Sequence, residues 1–464
     1  MSKFYDSFTT ADARTANGAL TNSTTGNKVL DLFSTVGSLR GKPIVARELF
    51  TDALNDDRDL AVRCMLWARD ARQGAGERAT GRTLLQHLCY NEYPQNAQHV
   101  QQLLKKFVEV GRWDDLFTVF GTSWEKEATG LIWEGLAEGD ALCAKWMPRE
   151  GKPFAKELRK AFGLSPRQYR KIISSISETV EQGMCANEWE QIEYSHVPSQ
   201  ANLKYVKAFL RHDEDRYRAY LNRVTKGEVK MNASVAYPYE IMRKISDGNA
   251  DQMWKSLPNY MEGNKERILP LVDVSGSMTC GWQDPKPIDV AVGLGLYIAE
   301  RNEGIFKDEV MTFSERPQMF HITGKNLLER VRSLRGMDWG MNTNLHRVFD
   351  TLLTRAVRCQ VPQKEMPTMI LIMSDMEFDS CTRPVTNYQY IAGAYRAAGY
   401  EVPKVVFWNL NARAGNNPVK AKDENTAVIS GFSPAILKSV LSGKQFNPTS
   451  LMMDTLMKPR YNWK

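Results

Sequence analysis

The 464-residue chain is 42% hydrophobic and 25% charged, with a formal net charge of +7. Its length exceeds what one hydrophobic core serves, so two or three domains are expected, and the mildly basic balance permits a polyanionic partner without demanding one. The seven cysteines, at 64, 89, 143, 185, 280, 359 and 381, are odd in number and form no C-x-x-C pair; this speaks against a disulfide framework or a zinc site and for a reducing compartment.

Residues 1–42 are rich in Ser, Thr, Asn and Gly, the composition of an extended N-terminal arm that packs on something else. Their start, "MSKFYDSFTTADARTANGALTNSTTGN", lacks the apolar core of a signal peptide, and no apolar run approaches a membrane span. A cytoplasmic protein without a membrane partner is the expectation.

From 43 to 262 the apolar spacing is helical. "PIVARELFTDALNDDRDLAVRCMLWARDAR" pauses at "NDD" and resumes with Leu60, Val62, Met65 and Leu66, which predicts an antiparallel helix pair. Similar units follow in "QNAQHVQQLLKKFVEVGRWDDLFTVF", "KEATGLIWEGLAEGDALCAKWMP" and "SPRQYRKIISSISETVEQGM", the last with Ser165 as N-cap and Pro166 at the first helical position. Stacked pairs of unequal length suit an irregular, HEAT-like helical repeat module. Within it, "RQGAGER" fits a turn between helices better than a phosphate loop, because no strand precedes it. Trp113 of "GRWDDL" is expected in the core, with Asp114 or Asp115 pairing an arginine.

From 265 to 464 strand and helix alternate. "RILPLVDVS", "DEVMTFS", "TMILIMSD" and "KVVFWNL" are strands, separated by helical stretches such as "PIDVAVGLGLYIAERN", "NLLERVRSL", "NLHRVFDTLLTRAVR" and "YQYIAGAYRAAG". The second domain is therefore α/β, a doubly wound, mostly parallel sheet, and its ligands belong at the carboxyl ends of the strands. Asp273, Ser275 and Ser277 fall there, on the loop after the first strand. Thr343 precedes a later helix, and Asp375 ends the "TMILIMSD" strand. Two carboxylates with three hydroxyls form a hard oxygen set, suited to Mg²⁺ first and to Mn²⁺ or Ca²⁺ next. On an exposed loop, replacing Asp273 by Ala should remove the metal and spare the fold. Glu377 and Asp379, just beyond, suit either hydrogen bonding to metal-bound water or loop solvation. A haloacid-dehalogenase phosphatase would need a carboxylate where Ser275 stands, and "VSGSM" is no nucleophile elbow.

The pattern D-x-S-x-S, then Thr, then Asp resembles the metal-ion-dependent adhesion site of von Willebrand factor A domains. That resemblance implies metal ligation by Asp273, Ser275, Ser277, Thr343 and Asp375, with a position left for a partner's acidic side chain. The helical half has its own likeness. "RDARQGAGER", "GRWDDL", "AKWMPRE", "LRKAFGLSPRQYRKIIS" and "VPSQANLKYVKAFLRHDEDRYRAYL" resemble the TROVE module of the Ro ribonucleoprotein family, and a Ro-like branch joins such a module to a C-terminal von Willebrand A domain. The resemblance implies a non-enzymatic protein that binds small structured or single-stranded RNA.

Charge distribution bears on that expectation independently. Residues 145–171 hold nine Lys or Arg (Lys145, Arg149, Lys152, Lys156, Arg159, Lys160, Arg167, Arg170 and Lys171) against Glu150 and Glu157. Residues 204–230 add eight, among them Lys204, Lys207, Arg211 and Arg216, against four acids, while 172–203 carries five Glu and no Lys or Arg. Segregated charge is what a phosphate track needs, and Tyr169, Tyr205, Phe209, Tyr217 and Tyr220 are interleaved either as stacking faces or as core. The rival is a metal-dependent protein-interaction scaffold without RNA; a metal-dependent hydrolase is disfavoured because no base or nucleophile accompanies the ligands.

Overall fold

Turn-forming residues end one helix and cap the next along the first half of the chain. The side chain of Asp57 accepts the Leu60 amide at 3.0 Å and so starts the second helix of the first pair. The computed structural model describes residues 11–91, 96–280, 284–312, 317–337, 344–380, 386–443 and 445–464. Its first helices are α1 (Lys28–Phe33), α2 (Pro43–Asp56), α3 (Arg58–Arg69), α4 (Arg78–Tyr90), α5 (Ala97–Val110), α6 (Glu125–Ala137) and α7 (Ala141–Trp146). There follow α8 (Ala155–Ala161), α9 (Pro166–Ile176), α10 (Val180–Cys185), α11 (Ser199–His212), α12 (Glu214–Thr225), α13 (Pro238–Arg243) and α14 (Ala250–Lys255). Amphipathic spacing drives their packing: α5 buries Val100, Leu103, Leu104, Phe107 and Val110, one stripe of the helix. Ser165 caps α9 reciprocally with Gln168, as the sequence predicts.

Between α3 and α4 the "RQGAGER" segment is a helix-to-helix turn, tight enough that a Cβ on Gly74 would lie 2.0 Å from the Trp67 carbonyl oxygen. Asp115 of "GRWDDL" is fully buried between two arginines, 2.7 Å from Arg69 and 2.6 Å from Arg82, and Asp114 pairs Arg82 at 2.8 Å. Trp113 is half-buried and donates its indole N–H to Asp140 at 3.1 Å.

The second half is a six-stranded sheet, β3 (Ile268–Val272), β4 (Glu309–Thr312), β5 (Met319–His321), β6 (Met369–Ser374), β7 (Lys404–Asn409) and β8 (Thr426–Ser430), in spatial order β5-β4-β3-β6-β7-β8. All neighbours are parallel except the β4–β5 edge pair. Counted within the domain this is the order 3-2-1-4-5-6 of doubly wound nucleotide-binding sheets, with its switch point between β3 and β6. The helices include α15 (Gly276–Thr279), α16 (Pro287–Arg301), α17 (Leu327–Arg335), α18 (Leu345–Arg358), α19 (Asn387–Ala397), α20 (Ile436–Ser442) and α21 (Pro448–Leu456). Every residue of β3, β6 and β8 is buried, and each buried Ile, Leu or Val contributes roughly 1.5–3 kcal/mol relative to exposure. Central β3 contains Pro270, which lacks a donor. Asp273 donates its amide toward β6, to Met373 O at 3.1 Å. By alternation Pro270 faces β4 instead, whose pairing starts only at Leu271.

Helix α16 joins the halves through two glycines. A Cβ on Gly295 would meet Val272 of β3 at 2.5 Å, and one on Gly293 would meet the Tyr239 amide of α13 at 2.9 Å. At the opposite end, the C-terminal tail returns to α3: Arg460 grips Asp70 at 2.5 and 3.0 Å and the Tyr461 hydroxyl donates to it at 3.1 Å. The helical module therefore meets the sheet domain at both of its ends. Among the described residues no helix is long and apolar enough to cross a membrane.

From residue 11 onward the arm has regular structure. After a two-stranded hairpin, β1 (Ala13–Arg14) with β2 (Leu20–Thr21), it forms α1 and crosses the carboxyl ends of β6, β7 and β8. Thr15 Oγ1 donates to Phe378 O at 2.7 Å, Asn22 and Asn417 exchange backbone hydrogen bonds at 2.9 and 3.0 Å, and Gly37 N donates to Ser430 Oγ at 2.9 Å. A Cβ on Gly37 would stand 2.4 Å from the Ser430 carbonyl oxygen. Gly37→Ala should therefore push the arm off β8 and cost roughly 1–3 kcal/mol in chemical denaturation, with faster proteolytic cleavage within residues 11–42; unchanged stability would contradict this packing.

Candidate functional site

The switch point explains why two carboxylates distant in sequence meet. Parallel pairing of Val272 with Met373 brings the first residues beyond both strands side by side at the carboxyl edge. Asp273 sits at one strand end and Asp375 at the other, and both are fully buried. The expectation of an exposed loop is therefore corrected: both carboxylates lie inside the protein. Asp273 accepts the Ser275 amide at 2.9 Å through Oδ1 and the Ser374 hydroxyl at 2.5 Å through Oδ2. Because it holds these two donors in place, Asp273→Ala would disturb the fold as well as any ligand. Ser275 Oγ and Ser277 Oγ lie 3.0 Å apart on the turn that opens α15.

Burial, and then the charge of Asp375, raise the Asp273 carboxyl above the usual carboxylate range. Burial raises Asp375 as well, while the Glu377 amide and the Ser277 hydroxyl pull it down. Asp375 Oδ1 accepts the Glu377 amide at 3.2 Å. Its Oδ2 is buried and receives no hydrogen bond of normal geometry among the described residues. Two desolvated carboxylates, one with an unmatched oxygen, beside two hydroxyls form a donor set that fits a hard divalent cation. Four of the five expected ligands are thus brought together; Thr343 lies outside the described residues.

Glu377 is not a solvated loop residue, one of the two roles expected from sequence. Its carboxylate is buried and taken up by protein donors: Ala16 N at 2.5 Å, Asn416 Nδ2 at 3.2 Å and the Arg413 guanidinium at 3.4 Å. It ties the arm to the loop carrying Asp375. Ser374, which orients Asp273 and also accepts the Met376 amide at 3.0 Å, was not singled out from sequence. Its signal is faint, a polar residue ending an otherwise apolar strand. Lys42, at the arm's end, donates to Asn411 Oδ1 at 2.8 Å and Ala412 O at 2.7 Å. Burial lowers its pKa, with Arg413 adding to the effect and the charges of Asp375 and Glu377 opposing it.

The basic residues divide into two kinds. Lys152, Lys156, Lys160, Arg167, Arg170 and Lys171 are exposed on α8, α9 and the preceding turn, and none has an ion-pair partner among the described residues. Glu150, on that turn, and Glu157 are the acids exposed beside them. Others are engaged: Lys145 with Glu181 at 3.8 Å, Arg159 with Glu150 at 3.7 Å, and Lys207 with Asp247 at 3.7 Å. Arg216 staples its helix to the carbonyls of Trp189 and Ile192 at 2.9 and 2.8 Å. Lys204 lies over the Tyr205 ring at 4.9 Å, and Arg211 is exposed. Tyr169, Phe209, Tyr217 and Tyr220 are buried, so as stacking faces they are excluded; each occupies the apolar stripe of its helix. Tyr205 is half-buried and bonds Glu181 at 3.1 Å.

Residues 149–269 match the family described as Domain of unknown function (DUF2828), and residues 268–458 match Domain of unknown function (DUF7788). The boundary between the two coincides with the start of β3. A relative from Acanthamoeba polyphaga mimivirus, "Uncharacterized protein L728", is 28% identical over 509 aligned positions, covering 95% of this chain and 86% of that protein. The crystal structure of the Deinococcus radiodurans RO (RSR) protein aligns over 96% of this chain and 95% of its own, at 14% identity and a TM-score of 0.38.

Proposed function

We propose that this is a non-enzymatic RNA-binding protein whose helical module holds RNA through the face built from α8 and α9. The observation that carries the reading is the cationic set Lys152, Lys156, Lys160, Arg167, Arg170 and Lys171, without ion-pair partners among the described residues. Six cations stand here against the exposed Glu150 and Glu157, an excess of positive charge that suits a polyanion. The resemblance of the helical motifs to Ro ribonucleoproteins supports the same choice of ligand. Six described cysteines are free thiols, which agrees with a cytoplasmic setting.

The experiment is a salt titration of binding to structured RNA. Reversing the charges of Lys156, Lys160, Arg167, Arg170 and Lys171 should flatten the log-log slope by roughly 0.7 for each phosphate no longer neutralised. An affinity indifferent to these changes would favour a protein scaffold instead.

The sheet domain supports a second, separate reading, carried by Asp375 Oδ2, which is buried without a hydrogen bond of normal geometry among the described residues. A divalent cation, Mg²⁺ foremost with Mn²⁺ or Ca²⁺ as alternatives, would be held by Asp273, Ser275, Ser277 and Asp375, with Thr343 as the further ligand implied by the adhesion-site resemblance. When bound, the cation supplies positive charge that attracts an acidic side chain of a protein partner. Asp375→Asn should abolish the heat of Mg²⁺ titration. In chelator the same variant should melt at or above the wild-type temperature, because it removes a buried carboxylate charge that repels Asp273. A lower melting point in chelator, or an intact titration, would refute the assignment. Since ligands and basic face belong to different halves, chelation should leave RNA affinity unchanged.

A further inference from the structure

We propose that unpaired bases of single-stranded RNA stack on an aromatic platform made by Trp133 and Phe162, at the edge of the basic face. The proposal rests on the RNA reading above and specifies which form of RNA the face takes. Trp133 is 42% exposed, on a helix whose Ile132, Gly135 and Leu136 point inward. Phe162, the residue that ends α8, lies against it with ring centroids 4.9 Å apart at 38°. Helical side chains lean over the preceding turn. For Trp133 that turn contains Gly130, where nothing lies within 4 Å of the place a Cβ would occupy. Among the described residues nothing therefore packs on the helix surface at Gly130, one turn before the exposed indole.

Charge fits the occupant. The stripe of α6 that carries Trp133 consists of Lys126, Thr129, Gly130 and Ala137, without an acid, while Glu127 and Glu134 belong to another face. Helix α9, with Arg167, Arg170 and Lys171, packs against both α6 and α7, and exposed Lys160 stands two residues before Phe162. A second ring marks the other end of α8. Phe154 is 37% exposed between Lys152 and Lys156 and stacks on Phe117 at 5.4 Å and 7°. Its φ of 67° is a left-handed conformation rarely adopted by a bulky residue. Two partly exposed rings about 12 Å apart along α8, with lysines between them, match the alternation of bases and phosphates in a single strand. In a duplex the base faces are already occupied by one another.

The test uses the full chain, fluorescence anisotropy, an end-labelled oligoadenylate and a blunt-ended RNA duplex. Because Trp133 is exposed, Trp133→Ala should keep the wild-type melting temperature. It should weaken oligoadenylate binding roughly 5- to 100-fold, leave duplex binding and the salt slope unchanged, and be largely rescued in Trp133→Phe. Phe154→Ala should weaken the single strand in the same sense. Wild-type affinity of Trp133→Ala for oligoadenylate, alongside a loss in the five-site charge reversal, would overturn the platform and leave the RNA reading standing. Failure of the unmodified protein to bind either RNA at low salt would overturn both. If polyglutamate binds and loses affinity in Trp133→Ala as oligoadenylate does, the platform serves an acidic protein, and base stacking is overturned.

Discussion

The rest of the structure hangs on the passage of residues 15–42 across the carboxyl ends of β6, β7 and β8. In an open doubly wound sheet this edge is where ligands bind, and here the chain's own N-terminal segment takes most of it. The joints are specific: Ser430 Oγ receives the Gly37 amide and donates to Phe33 O at 3.1 Å, and Thr21 Oγ1 donates to Asn416 Oδ1 at 3.0 Å. Each spans more than 390 residues of sequence. Together with the grip of Arg460 and Tyr461 on Asp70, they make a circuit in which helical module and sheet domain hold each other at two places. Long closures of this kind cost entropy that only many accumulated interactions offset, so the halves are mutually dependent in a way that a sequence boundary near residue 265 does not suggest.

The same arm decides what kind of site the β3–β6 crevice is. By engaging Glu377 and Phe378, it fixes the loop beyond Asp375, next to a pair of buried carboxylates that repel each other. Such a pair is strongly unfavourable unless a cation or proton balances it. The surrounding groups soften the repulsion unequally. Asp273 is satisfied through both oxygens, by Ser275 and Ser374, whereas Asp375 Oδ2 receives no hydrogen bond of normal geometry among the described residues. The asymmetry identifies Asp375 as the carboxylate whose charge an ion would relieve most, and Asp273 as the one whose loss would disturb the surrounding strand ends.

Much of this was legible in the sequence because it rests on local periodicity. The helix pair at 43–69, the cap at Ser165 and the four parallel strands β3, β4, β6 and β7 all announce themselves through apolar spacing and turn residues. The order of Asp273, Ser275, Ser277 and Asp375 along an alternating pattern likewise pointed to the cluster, since the ends of adjacent parallel strands must meet. What escaped depends on distant partners. Edge strand β5 is three residues of "MFH" defined only by pairing with β4, and the arm's polar composition hides that Thr15, Asn22 and Gly37 are chosen for backbone groups on the far end of the chain. Tyr169, Phe209, Tyr217 and Tyr220 went inside because helical stripes bury aromatics wherever an apolar neighbour exists, and interleaving with lysines in sequence says nothing about which side of the helix each one takes.

Charge segregated along a chain is also not charge segregated in space. The acidic interval 172–203 separates two basic stretches, and folding brings it back between them: Glu181 receives Lys145 on one side and the Tyr205 hydroxyl, beneath Lys204, on the other. A phosphate track running through both stretches would have to pass this carboxylate, where each phosphate would meet like charge. Arg216 is committed to the carbonyls of Trp189 and Ile192, and Lys207 is only loosely paired, with Asp247 at 3.7 Å. The cationic surface that remains is therefore narrower than the sequence suggests, a strip along α8 and α9 bordered by Trp133, Phe162 and Phe154. A strip one helix wide meets a single strand over its length more readily than it meets both strands of a duplex, whose phosphates lie across a groove.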